Sequence, residues 1–136
     1  MDEFATVDRE QGIPVPDQLK ALFNNADDVR VQKLPCALPG LVSKAVHFSA
    51  GARTVPHKHT HGQHIVITDG VGVIADEDGV RIVRAGDVIT NPPTGWHWHG
   101  ALPSTAMSHV TVEDPGLELD VEQRDWEQAY PSDLGT

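Results

Sequence analysis

Seven of the eight histidines fall in two short stretches: His57, His59, His61 and His64 in the first, His97, His99 and His109 in the second. His57 and His59 are two residues apart, and His97 and His99 repeat that spacing. In an extended strand, residues i and i+2 point to the same face, so each pair presents two imidazoles side by side. Neutral imidazole is the commonest protein ligand for transition metals, and it moves protons near neutral pH. Histidines brought together from several strands can therefore hold a metal ion and carry acid–base work beside it. The single cysteine, Cys36, rules out an internal disulfide framework and any cysteine-rich zinc site.

Such a site needs strands that aim their faces at one interior. From Leu41 to Val112 the chain reads as short β segments with turn residues between them. Leu41–Phe48 comes first, then Thr54–His59, then Gln63–Thr68 closed by Asp69-Gly70. Val71–Ala75 and Val80–Val83 flank Asp76-Glu77-Asp78-Gly79, a strong hairpin signal. Val88–Thr90 follows the turn Ala85-Gly86-Asp87. After Asn91-Pro92-Pro93-Thr94-Gly95, the strands Trp96–Ala101 and Ala106–Val112 complete the set. This density of short strands predicts an all-β barrel or sandwich. Residues 1 to about 14 read as an extended arm, and Val15-Pro16-Asp17 opens a short helix with Leu19, Leu22 and Phe23 on one face. Beyond Asp114-Pro115-Gly116, Val121–Tyr130 is a second helical candidate. The stretch Gly70-Val-Gly72-Val-Ile-Ala75 matches a loose dinucleotide fingerprint, but a β segment rather than a helix follows it, so that reading is rejected.

The chain has 136 residues, a length for one domain spanning 1–136. Its 10 Lys and Arg against 20 Asp and Glu give a net charge of −10 with histidine neutral. That balance argues against nucleic-acid binding through a basic face and against docking on an anionic membrane. The acidic start MDEFATVDREQG lacks the basic-then-apolar pattern of an export signal, so a cytoplasmic location is expected.

The residues resemble a family. Gly51-Ala-Arg-Thr-Val-Pro-His57-Lys-His59-Thr-His-Gly-Gln63, running on to Gly70, resembles the first cupin motif; Gly86-Asp-Val-Ile-Thr-Asn-Pro-Pro93-Thr-Gly-Trp-His97 resembles the second. The resemblance implies an all-β, jelly-roll-like cupin barrel with its core at about 41–112, an arm and short helix at 1–40 and a tail at 113–136. It also implies one divalent transition metal (Mn, Zn or Fe) held by His57, His59, His97 and a residue after the first pair. The usual Glu at that last position is absent, and the two allowed spacings hold Gln63 and His64. Alternation groups Gln63 with Ile65 and Ile67, the more apolar face, which favours Gln63; His64 is the alternate and would make a four-histidine site. His61, on the loop, is the weaker candidate. A neutral ligand in place of Glu leaves a more electrophilic metal, suited to polarising a bound oxygen.

The stretch His97-Trp98-His99-Gly100-Ala101, with Met107-Ser108-His109 after it, is similar to small manganese-dependent hydroxynitrile lyases. That resemblance implies a lyase acting on a small oxygenated molecule, with His109 as general base and His99 nearby. Lys58, Thr60 and His61 depart from that subgroup's first motif. Four-histidine cupins also resemble zinc-containing aromatic polyketide cyclases; iron cupin dioxygenases and non-catalytic binding cupins are further relatives. A homodimer is expected from the family. Elsewhere, His47 is expected to be an exposed residue without a role, Cys36 buried structure, and Trp96 and Trp98 packing or dimer-face residues opposite the histidines. Met107 falls between pocket and plain core, and Glu113 to Glu127 reads as a solvated acidic surface.

Overall fold

A computed structural model describes residues 4–93 and 95–119, the side chains of Leu117–Leu119 excepted. Its strands are β1 (Ile13–Pro14), β2 (Val29–Leu34), β3 (Val42–Phe48), β4 (His57–His59), β5 (Gln63–Asp76), β6 (Gly79–Arg84), β7 (Val88–Asn91), β8 (His97–Ala101), β9 (Met107–Glu113) and β10 (Leu117–Leu119). All pair antiparallel, in the order β1-β2-β3-β9-β5-β8-β4-β10, with β6 and β7 also paired to β5. The sheet curls around an apolar interior that includes Val29, Val46, Phe48, Ile65, Ile67 and Met107. This is the expected all-β barrel.

The curl depends on β5. Its first half pairs with β9 and β7, its second with β8 and β6. Between the halves the β5–β9 register slips at Ile67/Asp69, and Gly70 takes φ +76°. Asp69-Gly70 is thus not a turn between two strands, as its composition suggests, but a bulge inside one long strand. The local bend swings β5 from one layer of the barrel to the other. A Cβ at residue 70 would run into the Ala106 carbonyl, so the position requires glycine.

The sheet is wider than 41–112. Val29 and Val31 point inward on β2 while Arg30 and Lys33 face solvent. Strand β9 runs on to Glu113, and β10 pairs with β4. The helix after Pro16 is a six-residue 3-10 helix, Asp17–Leu22, whose Leu22 and neighbour Phe23 close one end of the core. The arm lies along the barrel, with Ile13 and Pro14 paired to the edge of β2. The helical candidate Val121–Tyr130 lies outside the described residues. No helix among those described is long and apolar enough to cross a membrane.

Candidate metal centre

Strand β4 presents its two imidazoles as alternate inward residues, and the chain turns directly after it at Thr60-His61. His57 lies opposite His97 in the β4–β8 pairing, which brings three histidines to one point. The ligand atoms of His57, His59 and His97 all fall within 4.8 Å of one another, and all three residues are buried. Their outer nitrogens are fixed by specific partners. His57 Nδ1 is 2.8 Å from the Val55 carbonyl and His97 Nδ1 is 3.0 Å from the Gly95 carbonyl. His59 Nδ1 is 2.6 Å from the Glu113 carboxylate. Each of these bonds places the ring proton on Nδ1 and leaves a lone pair on Nε2. The buried Nε2 of His59 has no hydrogen-bond partner, which is what a metal-ligating nitrogen looks like without its ion.

Gln63 lies beside the three histidines. Its Oε1 is 3.1 Å from His97 Nε2 and accepts a 3.3 Å bond from Asn91 Nδ2. Its Nε2 donates to Glu113 Oε2 at 3.2 Å. His64 points to the exposed side of β5, so the four-histidine set is not assembled. His61 is exposed and bonds Asp114 at 2.8 Å, away from the cluster. Three imidazoles and an amide oxygen form a neutral set of hard and borderline donors, which fits a divalent first-row transition metal.

Beside this cluster, His109 Nε2 lies 3.0 Å from His99 Nδ1. His99 stacks on His97, its ring centroid 5.6 Å away and nearly parallel. Phe48 meets both rings of the pair edge-on. His99 Nε2 and His109 Nδ1, the outer ends of the pair, have no partner. Both residues line one cavity with His57, His59 and Gln63, and Leu19, Leu22, Phe23 and Val46 give that cavity apolar lining. Burial disfavours the charged imidazole throughout. It holds His57 well below the ordinary histidine range, and it holds His99 there with help from His109. It pushes His97 and His109 down to about 4.

Several residues stand elsewhere than their types suggest. Glu113 is not on a solvated face: it is buried and touches two of the site's residues. It shares a face of β9 with Met107, His109 and Thr111, so alternation from His109 was the available signal. Burial alone would raise its carboxyl, but the His59 hydrogen bond and the Lys44 charge outweigh this and hold it below the ordinary range. His47 is buried rather than exposed; its Nδ1 is 2.7 Å from Ser108 Oγ, and it faces the arm, away from the cavity. Trp98 is packed with Val73, Ala75 and Leu102, while Lys58 lies over the Trp96 ring. Met107 belongs to the core, and Cys36 is only half-buried.

The profile of the cupin domain family (Cupin_2) matches residues 45–113. The chain is 42% identical to an (R)-mandelonitrile lyase of Granulicella tundricola over 90 residues, 65% of this chain and 66% of that protein. The match thus spans just under two thirds of the lyase's length. Among solved structures, a cupin-like protein from Thermotoga maritima superposes with a TM-score of 0.72 at 27% identity, covering 90% of this chain and 96% of that one. The polyketide cyclase RemF from Streptomyces resistomycificus is 18% identical with a TM-score of 0.65, covering 85% and 84% of the two chains, a likeness of fold.

Proposed function

This chain belongs to the cupin domain family, and on that footing we propose that it is a metal-dependent lyase that cleaves small cyanohydrin-like molecules. The observation that carries this reading is the His99–His109 pair, 3.0 Å between nitrogens, in the same cavity as the three-imidazole cluster. The likeness to a mandelonitrile lyase supports the substrate class. His57, His59, His97 and Gln63 would hold the metal, which supplies a Lewis acid for the substrate oxygen.

The protein's own residues supply the rest. A cyanohydrin breaks into an aldehyde and hydrogen cyanide when its hydroxyl proton leaves and the bond between carbon and cyanide breaks. A neutral imidazole must take that proton, and with its pKa held near 4, His109 is neutral at physiological pH. The His99–His109 bond uses one proton and one lone pair. Whichever tautomer is present, the pair then offers one donor and one acceptor at its two outer nitrogens. The acceptor takes the hydroxyl proton, and the pair returns a proton to the departing cyanide. The apolar side chains of Leu19, Leu22, Phe23 and Val46 would face the hydrocarbon part of the substrate.

The test is turnover of mandelonitrile by purified, Mn(II)-loaded protein, followed as benzaldehyde release. His109→Ala is expected to lose about 10²–10⁴-fold in kcat/KM while keeping its metal. Fully metal-loaded wild-type protein that turns over no cyanohydrin contradicts the lyase reading.

A further inference from the structure

The buried carboxylate of Glu113 is bonded on three sides inside the barrel. Oε2 meets His59 Nδ1 at 2.6 Å and Gln63 Nε2 at 3.2 Å. Oε1 accepts from Thr111 Oγ1 at 3.1 Å and lies 3.6 Å from Lys44 Nζ. The lysine is the more distant partner and is partly exposed, so it balances the charge rather than explaining it. The shorter bond on Oε2 goes to a residue of the metal cluster.

We propose that Glu113 is a positioning residue that sets His59 and Gln63 as metal donors, and that it is the reason position 63 carries an amide. This rests on the metal-dependent reading above. The two bonds do different jobs. Accepting the Nδ1 proton of His59 forces the lone pair onto Nε2, the buried nitrogen that has no partner. Accepting a proton from the Gln63 amide nitrogen turns its oxygen toward His97 Nε2. An amide released from that bond can rotate and present its NH2, which has no lone pair to offer a metal. A carboxylate at position 63 would instead stand within hydrogen-bond distance of Glu113, two buried like charges with no proton between them. The departure from the usual Glu is thus tied to a residue fifty positions later.

The experiment titrates Co(II) into metal-stripped, full-length protein and reads both affinity and the visible d–d spectrum, which reports coordination number. Glu113→Ala is expected to bind Co(II) about 10–100-fold more weakly than wild type, with an altered spectrum and unchanged far-ultraviolet circular dichroism. Glu113→Gln keeps the volume, and its carbonyl oxygen can still accept from both His59 and Gln63, but it loses the negative charge and turns an NH2 toward Lys44. It is expected to shift the spectrum with a smaller loss of affinity, and it carries the test if the alanine variant does not fold. Gln63→Glu is expected to lower the melting temperature of the metal-free protein. Adding Glu113→Gln to it is expected to recover part of that temperature, because it removes one of the two buried like charges while its carbonyl oxygen still accepts from His59. Wild-type affinity and spectrum in both Glu113 variants overturn the proposal. So does a Gln63→Glu protein that melts like wild type. Wild-type protein that binds no Co(II) contradicts the metal reading instead, which separates the two failures.

Discussion

At the residue scale, the cluster rests on imidazoles whose second nitrogens are already committed. His57 and His97 donate to backbone carbonyls, and His59 to a carboxylate. His57→Ala removes one of the three clustered imidazoles, and the variant protein is expected to hold less than about a tenth of the wild-type metal by elemental analysis. The proton-accepting role of His109 has a pH signature. With its pKa near 4, kcat/KM should stay level from about pH 8 down to about pH 5 and fall as pH approaches 4. Metal occupancy must be followed in the same samples, because His97 is also held near 4. Much of this was legible in the sequence. The i, i+2 spacing put His57 with His59, and His97 with His99, on common faces, and alternation placed Gln63 inward with Ile65 and Ile67. Glu113 was missed because it begins an acidic run, and composition reads such a run as solvent-facing. Its burial comes from the phase of β9, which the run conceals.

At the element scale, two close approaches shape the site. Gly70 lets β5 cross between layers, and Gly100 lets β8 pass against the Ala52–Arg53 backbone. The hydrogen bonds from Ala101 N to Ala52 O and from Thr54 N to His99 O, 2.9 and 2.8 Å, hold the two segments together. A Cβ at position 100 would collide with both Ala52 and Arg53. Gly100→Ala is therefore expected to cost about 1–3 kcal/mol in denaturant unfolding, and to weaken metal binding by displacing the neighbouring His99 and His97. The hairpin at Asp76–Gly79 was readable, since Asp-Gly after an apolar run specifies a tight reversal. Strand β2 was not. Its inward residues Val29 and Val31 are followed by the buried polar Gln32, which breaks the alternation, and its pairing with β3 is a long-range fact. Likewise Asp69-Gly70 has turn composition but sits where β9 continues to pair, and only tertiary pairing tells a bulge from a turn.

At the scale of the whole molecule, the barrel gathers histidines in its interior and holds four of them uncharged at neutral pH. His57, His97, His99 and His109 all have their folded-state pKa lowered, first of all by burial. An unfolded histidine titrates near about 6.5. Between about pH 6.5 and pH 4 the unfolded chain therefore binds more protons than the folded one, and stability falls as pH falls. The metal-free protein should show its highest melting temperature above about pH 6.5 and lose stability steadily toward about pH 4, which a series of thermal melts will check. Added metal should raise the melting temperature most near neutral pH, since ligation requires the neutral imidazoles. Everything proposed for the site depends on this interior holding one transition metal. Elemental analysis of purified wild-type protein, after incubation with Mn(II), Zn(II) and Fe(II) and removal of excess, tests that most directly. About one transition-metal ion per chain, lost on His57→Ala, is the expected result; folded wild-type protein that retains none contradicts it.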